Sequence, residues 1–313
     1  MNIIKQNLEV MENTDALKHI EKVARTCYKS ENMIKDGSAL KFVKGLTKAK
    51  HYAMLEHAVF TFIVETKYYK KYFPCFEENI GHNLFKQFAK VTAPCDINYF
   101  CDAYVVSLNL RTIFEIMDIG NKSFTIIMQK VLPTDVLNIY GLKPIELEKD
   151  DKVFIANKEK AETLFKFCPC EFDKHDFITF KLTTNRAIAN EIVRHRLCSF
   201  AQESTRYCNY SKDKYSNEIK VIEPCKQIRE NQTLYNIWRT QIRQSEIAYF
   251  ELLDNGATTD TARGVLPLDL ATELIVTANK DELKHMYNLR VLGTTGKPHE
   301  QVKELLTPLS KEI

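Results

Sequence analysis

The stretch Arg194-His195-Arg196-Leu197-Cys198-Ser199-Phe200-Ala201-Gln202-Glu203-Ser204 sets three clustered bases just ahead of a turn rich in hydroxyl and amide side chains. Thr205, Arg206 and Tyr207 follow, so a fourth cation arrives directly after the serine. Such a strip suits anions. Arginine presents a planar fork that can hold phosphate bidentately, and histidine adds a group that titrates near neutral pH. A bare Arg-His-Arg would be satisfied by a charged helix end with a polar loop. The donors that continue to Arg206 favour a binding site.

Working outward, Ile188 and Ile192, and Ala189, Val193 and Leu197, recur at intervals of four, which predicts a helix over 185–197 with a buried stripe. The other face carries Arg186, Asn190, Glu191, Arg194 and His195, and the spacing lets Glu191 hold Arg194 and His195 as helical neighbours. Beyond Leu197 the pattern fails, which predicts an irregular loop. A long amphipathic helix is expected over 227–255, with Leu234, Trp238 and Ile242 on one stripe and Gly256 as its stop. Further helices are expected over 269–278, from 280 through Arg290, and over 298–309. Asn279 with Glu282 reads as an N-cap and its capping-box partner. Strands are expected near 59–64, 104–108 and 177–182, and helices near 111–117 and 133–140. Strands dispersed among these helices predict an α+β fold. No internal repeat or low-complexity linker is read from the sequence.

Arg-His-Arg, seven residues, then serine is the pattern by which flavin-dependent thymidylate synthases are recognised, and the chain resembles that family. The resemblance continues in Ala24-Arg25-Thr26-Cys27-Tyr28, in His51 with Leu55-Glu56-His57 and Phe60-Thr61-Phe62, in Ala262-Arg263-Gly264-Val265-Leu266-Pro267, and in Asn279 and Leu289-Arg290. It implies a mixed β-sheet flanked by long helices, formed by 1–65 and 174–313, with 66–173 as an insertion of unknown role. It also implies reductive methylation of dUMP to dTMP, with FAD as redox carrier, NADPH as reductant and methylenetetrahydrofolate as carbon donor, and with no metal. Homotetramers whose active sites draw on several subunits are expected by the same resemblance, Arg263 and the first block coming from neighbouring chains.

The resemblance distributes roles along the chain. Arg290 would contact the uracil ring and stabilise negative charge there, which makes it the catalytic candidate. Glu191, Arg194, Gln202, Ser204, Thr205, Arg206 and Arg263 would join it in binding dUMP. His51, Glu56, Arg194, His195, Arg196, Asn279 and His285 would face FAD. A nucleophilic Ser204 is disfavoured, since no general base is evident beside it. His51, Glu56 and His57 lack the spacing of a zinc helix, and His57 reads as structural at the entry to a strand. Five positions depart from the family pattern: Ala201 and Gln202 stand where asparagine and glutamate are frequent, Glu191 where glutamine is, Ala53 where a hydroxyl is, and Asp281 where some relatives carry a cation.

Composition fits an enzyme of the cytoplasm. The chain has 313 residues, 44% of them hydrophobic, enough for a sizeable core. Its 44 basic and 41 acidic residues leave a net charge of only +3, which offers little general attraction to nucleic acid. Nine scattered cysteines suit a reducing compartment, and Cys168-Pro169-Cys170 is weak evidence for metal or redox chemistry. No signal peptide or membrane-spanning run is read. Within the insertion, Tyr68-Tyr69-Lys70-Lys71-Tyr72-Phe73 could stack on single-stranded nucleic acid, although a packed surface is the simpler reading. A subunit contact, a lid over the folate site, or a reach of Asn109-Leu110-Arg111 into the active site stay open. Two alternatives to the enzyme are a non-catalytic flavin- or nucleotide-binding paralogue and a nucleic-acid-binding module.

Overall fold

Ala271–Asn279, expected as a helix, is a strand of nine residues at the heart of a sheet. Its β-branched Thr272, Ile275, Val276 and Thr277 fit a pleated surface. Because it is buried on both faces between two other strands, its sequence is a nearly continuous apolar run, which periodicity cannot tell from a helix.

The computed structural model describes residues 1–12, 15–65, 89–92, 103–147, 153–155, 172–212 and 217–313. In chain order its principal elements are β1 (Asn2–Ile4), β2 (Asn7–Met11), α1 (Ala16–Tyr28), α2 (Ser38–Lys48), a 3-10 turn (Tyr52–His57), β3 (Val59–Glu65), β4 (Ala89–Thr92), β5 (Ala103–Asn109), α3 (Leu110–Asp118), α4 (Lys122–Val131) and α5 (Thr134–Tyr140). There follow β6 (Val153–Ile155), β7 (Phe177–Asn185), α6 (Arg186–Ile192), β8 (Ser199–Gln202), β9 (Lys220–Ile222), α7 (Gln232–Asp254), β10 (Ala271–Asn279), α8 (Lys280–Tyr287) and α9 (Glu300–Leu306). The expected strands and the helices near 111–117 and 133–140 are present. Tyr68–Phe73 and Cys168–Cys170 lie outside the described residues.

The α+β class holds, but the sheets differ from the mixed sheet expected. Two four-stranded sheets, in the orders β2-β7-β10-β8 and β4-β5-β3-β6, are antiparallel throughout. The parallel pairing is confined to a separate ladder of β1 with β9. Among the described helices, only α7 is long. Strand β5 pairs along its whole length with β3, so the expected boundary at 65/66 falls inside one sheet. Leu110, Ile113, Phe124 and Ile127 share a core with Ile20, Val43, Leu55 and Phe62, which ties α3 and α4 to α1, α2 and β3.

A second core lies over the other sheet, where Ile188 and Ile192 of α6, Leu283 and Met286 of α8, and Val302 and Leu306 of α9 meet Phe180, Leu182, Leu274 and Val276. A third joins Val221 to Trp238, Ile242 and Tyr249 of α7. Helix α7 starts later than expected, where the Asn231 side chain accepts from Leu234 N, and Leu234 is exposed rather than on the buried stripe. Gly256 does stop it, at φ +89°.

Candidate active site on the Arg194–Arg206 strip

Strand β7 runs into α6 through Asn185, whose Oδ1 accepts from Ile188 N at 2.8 Å while its Nδ2 donates to Asp269 at 3.0 Å. The helix then ends at Ile192, well short of the expected Leu197. His195 N donates to Ile192 O and Cys198 N to His195 O, both at 3.1 Å, so the chain turns tightly under Arg-His-Arg. The turn carries Arg194, Arg196 and Leu197 into solvent and leaves Leu197 44% exposed rather than on a buried stripe.

Glu191 is not the helical neighbour clamp expected for Arg194 and His195. Its carboxylate accepts from Arg290 Nη1 at 3.1 Å, its backbone carbonyl accepts from Arg290 Nη2 at 3.1 Å, and Arg290 Nε donates to His195 Nε2 at 3.1 Å. Accepting that bond requires Nε2 to be bare, which fixes the neutral tautomer protonated at Nδ1. Burial first, then the neighbouring Arg290 and His285, push the His195 pKa down to about 4, so this imidazole is an acceptor at neutral pH and not the titrating cation the sequence suggested. His285 of α8 completes the cluster, its ring edge-on to His195 at 6.1 Å between centroids. Among the described residues, three of the five guanidinium N–H groups of Arg290 are thus held by the protein, which leaves two to meet a ligand.

The second half of the strip is fixed from several sides. Gln202 Nε2 donates to Thr272 Oγ1 at 3.4 Å, and Ser204 N donates to Cys27 O at 3.0 Å. Ser204 Oγ accepts from Arg206 N at 3.3 Å, the contact of a turn-forming serine and not of an activated nucleophile. Arg263 Nη1 donates to Thr205 Oγ1 at 3.5 Å, and Tyr28 packs edge-on to Tyr207 at 5.4 Å. Arg263 and the Ala24–Tyr28 block therefore reach the loop within one chain, where neighbouring subunits had been expected to supply them.

The remaining candidates fall differently. Asn279 is buried and caps α8, its Oδ1 accepting from Glu282 N at 2.9 Å and its Nδ2 donating to Lys174 O at 3.0 Å, so its side chain is spent inside the protein. His51 is exposed at the start of the 3-10 turn. Glu56 sits in that turn and accepts from Arg111 Nη1 at 2.7 Å, while Arg111 Nε donates to Glu115 at 2.7 Å, so the reach of Arg111 ends on Glu56. His57 is structural, as read: it is buried and its Nδ1 lies 2.7 Å from Thr277 Oγ1.

Sequence reasoning missed a half-buried ionic cluster beneath the strip. Lys29 Nζ lies 2.5 Å from Glu273 and 3.6 Å from Glu203, whose carboxyl is pushed up by burial against the pull of Lys29. These residues, Tyr210 and Thr272 border a cavity of about 400 Å³. Lys29 takes a left-handed conformation at the end of α1, φ 48°, which no local pattern announces for a lysine. Adjacent Glu203 and Ser204 in the quoted stretch were the available signal.

The arrangement of cations, a fixed arginine and a donor-rich turn can be set beside known proteins. The family model for the Thymidylate synthase complementing protein matches residues 9–69 and 172–311. The chain belongs to this family. Flavin-dependent thymidylate synthases of Pyrococcus furiosus and Pyrococcus abyssi are 32% identical over 119 residues and 31% identical over 141 residues, covering 38% and 45% of this chain. The chain spans about half the length of these curated relatives, 48% and 55%. A UMP/dUMP methylase from Streptomyces cacaoi with 5-Br dUMP bound aligns over 100% of this chain and 91% of its own at 13% identity and a TM-score of 0.42, a likeness too loose to bear on the assignment. The matched spans contain the whole strip, Arg263 and Arg290, and leave out 70–171, where Arg111 lies.

Proposed function

We propose that the chain methylates dUMP to dTMP reductively, with methylenetetrahydrofolate as carbon donor, FAD as redox carrier and NADPH as reductant. The observation that carries this reading is Arg290, clamped by Glu191 and neutral His195 with two N–H groups remaining, inside the spans that match the family. A guanidinium so held can face a uracil carbonyl without reorganising, which favours charge developing on the ring. Its contact with Glu191 also offsets an acid that would otherwise repel an anionic nucleotide. Gln202, Ser204, Thr205 and Arg206 lie on one stretch, Arg263 reaches it through Thr205, and together they would bind the phosphate and ribose.

FAD, when bound, supplies the hydride and carbon relay. The donor set suits it: exposed Arg194 and Arg196 would offset its diphosphate, and His195, His285, His51 and Glu56 offer polar contacts. Asn279 would act only indirectly, by capping α8. The resemblance implies a homotetramer with shared active sites, an assembly of four family units, and this belongs to the same reading. Exposed Leu234, Ile237, Ile247 and Leu252 on α7 support contact between chains, and no helix among the described residues is long and apolar enough to cross a membrane.

The test is tritium release from 5-labelled dUMP by the purified protein, with FAD, NADPH and methylenetetrahydrofolate each omitted in turn. Release that needs flavin and NADPH, with dTMP formed when folate is present, is expected. Flavin binding without release would leave a binding paralogue, and the absence of both flavin binding and release would sink the reading.

A further inference from the structure

The two four-stranded sheets have the same plan. Reading β4-β5-β3-β6 against β8-β10-β7-β2, each strand has a counterpart at the same place and all pairings are antiparallel. The registers also agree. Val59 faces Asn109 and Thr61 faces Ser107 in one sheet, while Phe177 faces Asn279 and Thr179 faces Thr277 in the other. Ser107 and Thr277 each sit two residues before an asparagine that ends its strand and caps the next helix, with φ and ψ of −76° and 158° at Asn109 and −77° and 163° at Asn279. Just beyond each cap, Leu110 N donates to Ala58 O at 2.8 Å and Lys280 N to Asp176 O at 3.0 Å. The sequences agree at these points: His57 and His175 each precede Thr-Phe by the same spacing, in Thr61-Phe62 and Thr179-Phe180, and Val106-Ser107-Leu108-Asn109 matches Val276-Thr277-Ala278-Asn279.

What relates the two units is reciprocal. In each sheet the facing hydroxyls pair, Thr61 with Ser107 at 2.7 Å and Thr179 with Thr277 at 2.7 Å. The histidine of each unit then crosses to the hydroxyl of the other: His57 Nδ1 lies 2.7 Å from Thr277 Oγ1, and His175 Nδ1 lies 2.8 Å from Ser107 Oγ. Contacts in which residue i of one body meets residue j of the other, and j meets i, are the mark of a two-fold interface between like subunits. Here the two bodies are parts of one chain. Both histidines, both threonines and Thr277 border a cavity of about 430 Å³ between the sheets.

We infer that the chain is an internal pair: the unit built on β3, β5 and α3 is a second, siteless copy of the unit built on β7, β10 and α8, and it occupies the face that a partner copy would otherwise cover. Among its described residues, the first unit keeps the capping asparagine and the hydroxyl row but shows no counterpart of Arg290. Gly120 stands as far beyond Asn109 as Arg290 stands beyond Asn279. Each chain therefore holds one site, and an assembly of four units takes two chains. That count of units rests on the proposed function; the internal pairing does not.

Two measurements on the full chain test the inference. The first is the mass in solution by light scattering. Two chains of 36.4 kDa each are expected, and a particle of four chains, or of one, would overturn the substitution of the first unit for a partner. The second compares Ser107→Ala with Thr277→Val, each of which removes one hydroxyl and strands one crossing histidine. Both should lower the melting temperature, by amounts within roughly twofold of each other, since each deletes one buried hydrogen-bond junction. The exchanges Ser107→Thr and Thr277→Ser, which keep the hydroxyls, should be tolerated and cover the case in which a deletion variant fails to fold. A large loss at one position and none at the other, in either pair of variants, would overturn the equivalence. A two-chain particle with matched losses but no tritium release would leave the internal pair standing and sink only the enzymatic reading.

Discussion

The unit around β7 and β10 and the unit around β3 and β5 share a strand order, a register and an asparagine junction from strand to helix, yet only the first presents Arg290 and the Arg-His-Arg turn. A scaffold of this kind therefore does not dictate chemistry. Function sits in the side chains that the strand ends and the following turns carry. What the shared plan does demand is a satisfied junction: Asn109, Asn185 and Asn279 each end a strand and accept from the backbone N–H three residues on, at 2.8, 2.8 and 2.9 Å. The polar caps recur because any strand that leads directly into a helix must satisfy the helix's free N–H groups.

The comparison breaks most sharply if the two units fold apart. Leu108 and Leu274 are both fully buried, one in each sheet. Leu108→Ala and Leu274→Ala should each cost about 2–5 kcal/mol through lost contacts and a residual cavity. Because crossing histidines join the sheets, both variants should shift one common unfolding transition, followed by calorimetry and by tryptophan fluorescence. Two separable transitions, each responding to only one variant, would show the units to be independent. Next in size is Arg290→Ala, which should lower turnover about a hundredfold while altering flavin affinity little, as expected for a donor aimed at developing charge. Equal losses in both would mean that Arg290 holds the cluster together and does not serve the reaction directly.

How far all this could be read from the sequence depended on how local the signal was. The cationic strip, the capping pair Asn279 and Glu282, and the strands near 59–64 and 177–182 rest on neighbouring residues, and they were legible. Strand β10 was not, because a strand buried on both faces loses the alternation that would identify it. The partner of Glu191 was not, because Arg290 is reached through the fold and not along the helix. The pairing of the units was hidden for another reason. Their agreement is confined to short words, His57 with Thr61-Phe62 against His175 with Thr179-Phe180, and Val106 to Asn109 against Val276 to Asn279, and the words are unequally spaced along the chain. Only the ladder registers align them. Lys29, Glu203 and Glu273 were missed because burial of charge follows from packing that no short window contains.

Acid should sharpen the contrast between the polar and apolar sides of the interface. Burial holds His57 down to about 3 and, with Lys22 nearby, His19 down to about 4, from 6.5 for a free imidazole. Both are neutral in the fold, while the unfolded chain takes up protons as pH falls below 6.5. Their contribution is therefore fully present above that value and is lost as pH descends toward 4 and 3. Melting temperature should fall between pH 7.5 and 5, and His57→Gln, whose amide can still meet Thr277, should flatten the decline. An unchanged slope in that variant would assign the acid sensitivity to other groups.

Leu197 should give the smallest effect and the most direct reading of the strip's surroundings. It stands between Arg196 and buried Cys198 on a turn that faces outward, whereas Leu108 at the other extreme is sealed in a core. For a side chain exposed in this way, Leu197→Ser should change stability by no more than about 0.5 kcal/mol. Its own chain covers Leu197 only in part, so a larger loss has two sources to separate: tighter packing within the chain, or a second chain laid over the Arg194–Arg206 turn. Denaturation at several protein concentrations separates the cases. A loss that grows with concentration places a neighbouring subunit on the strip, and a loss independent of concentration means that the turn packs more tightly within one chain than its exposure implies.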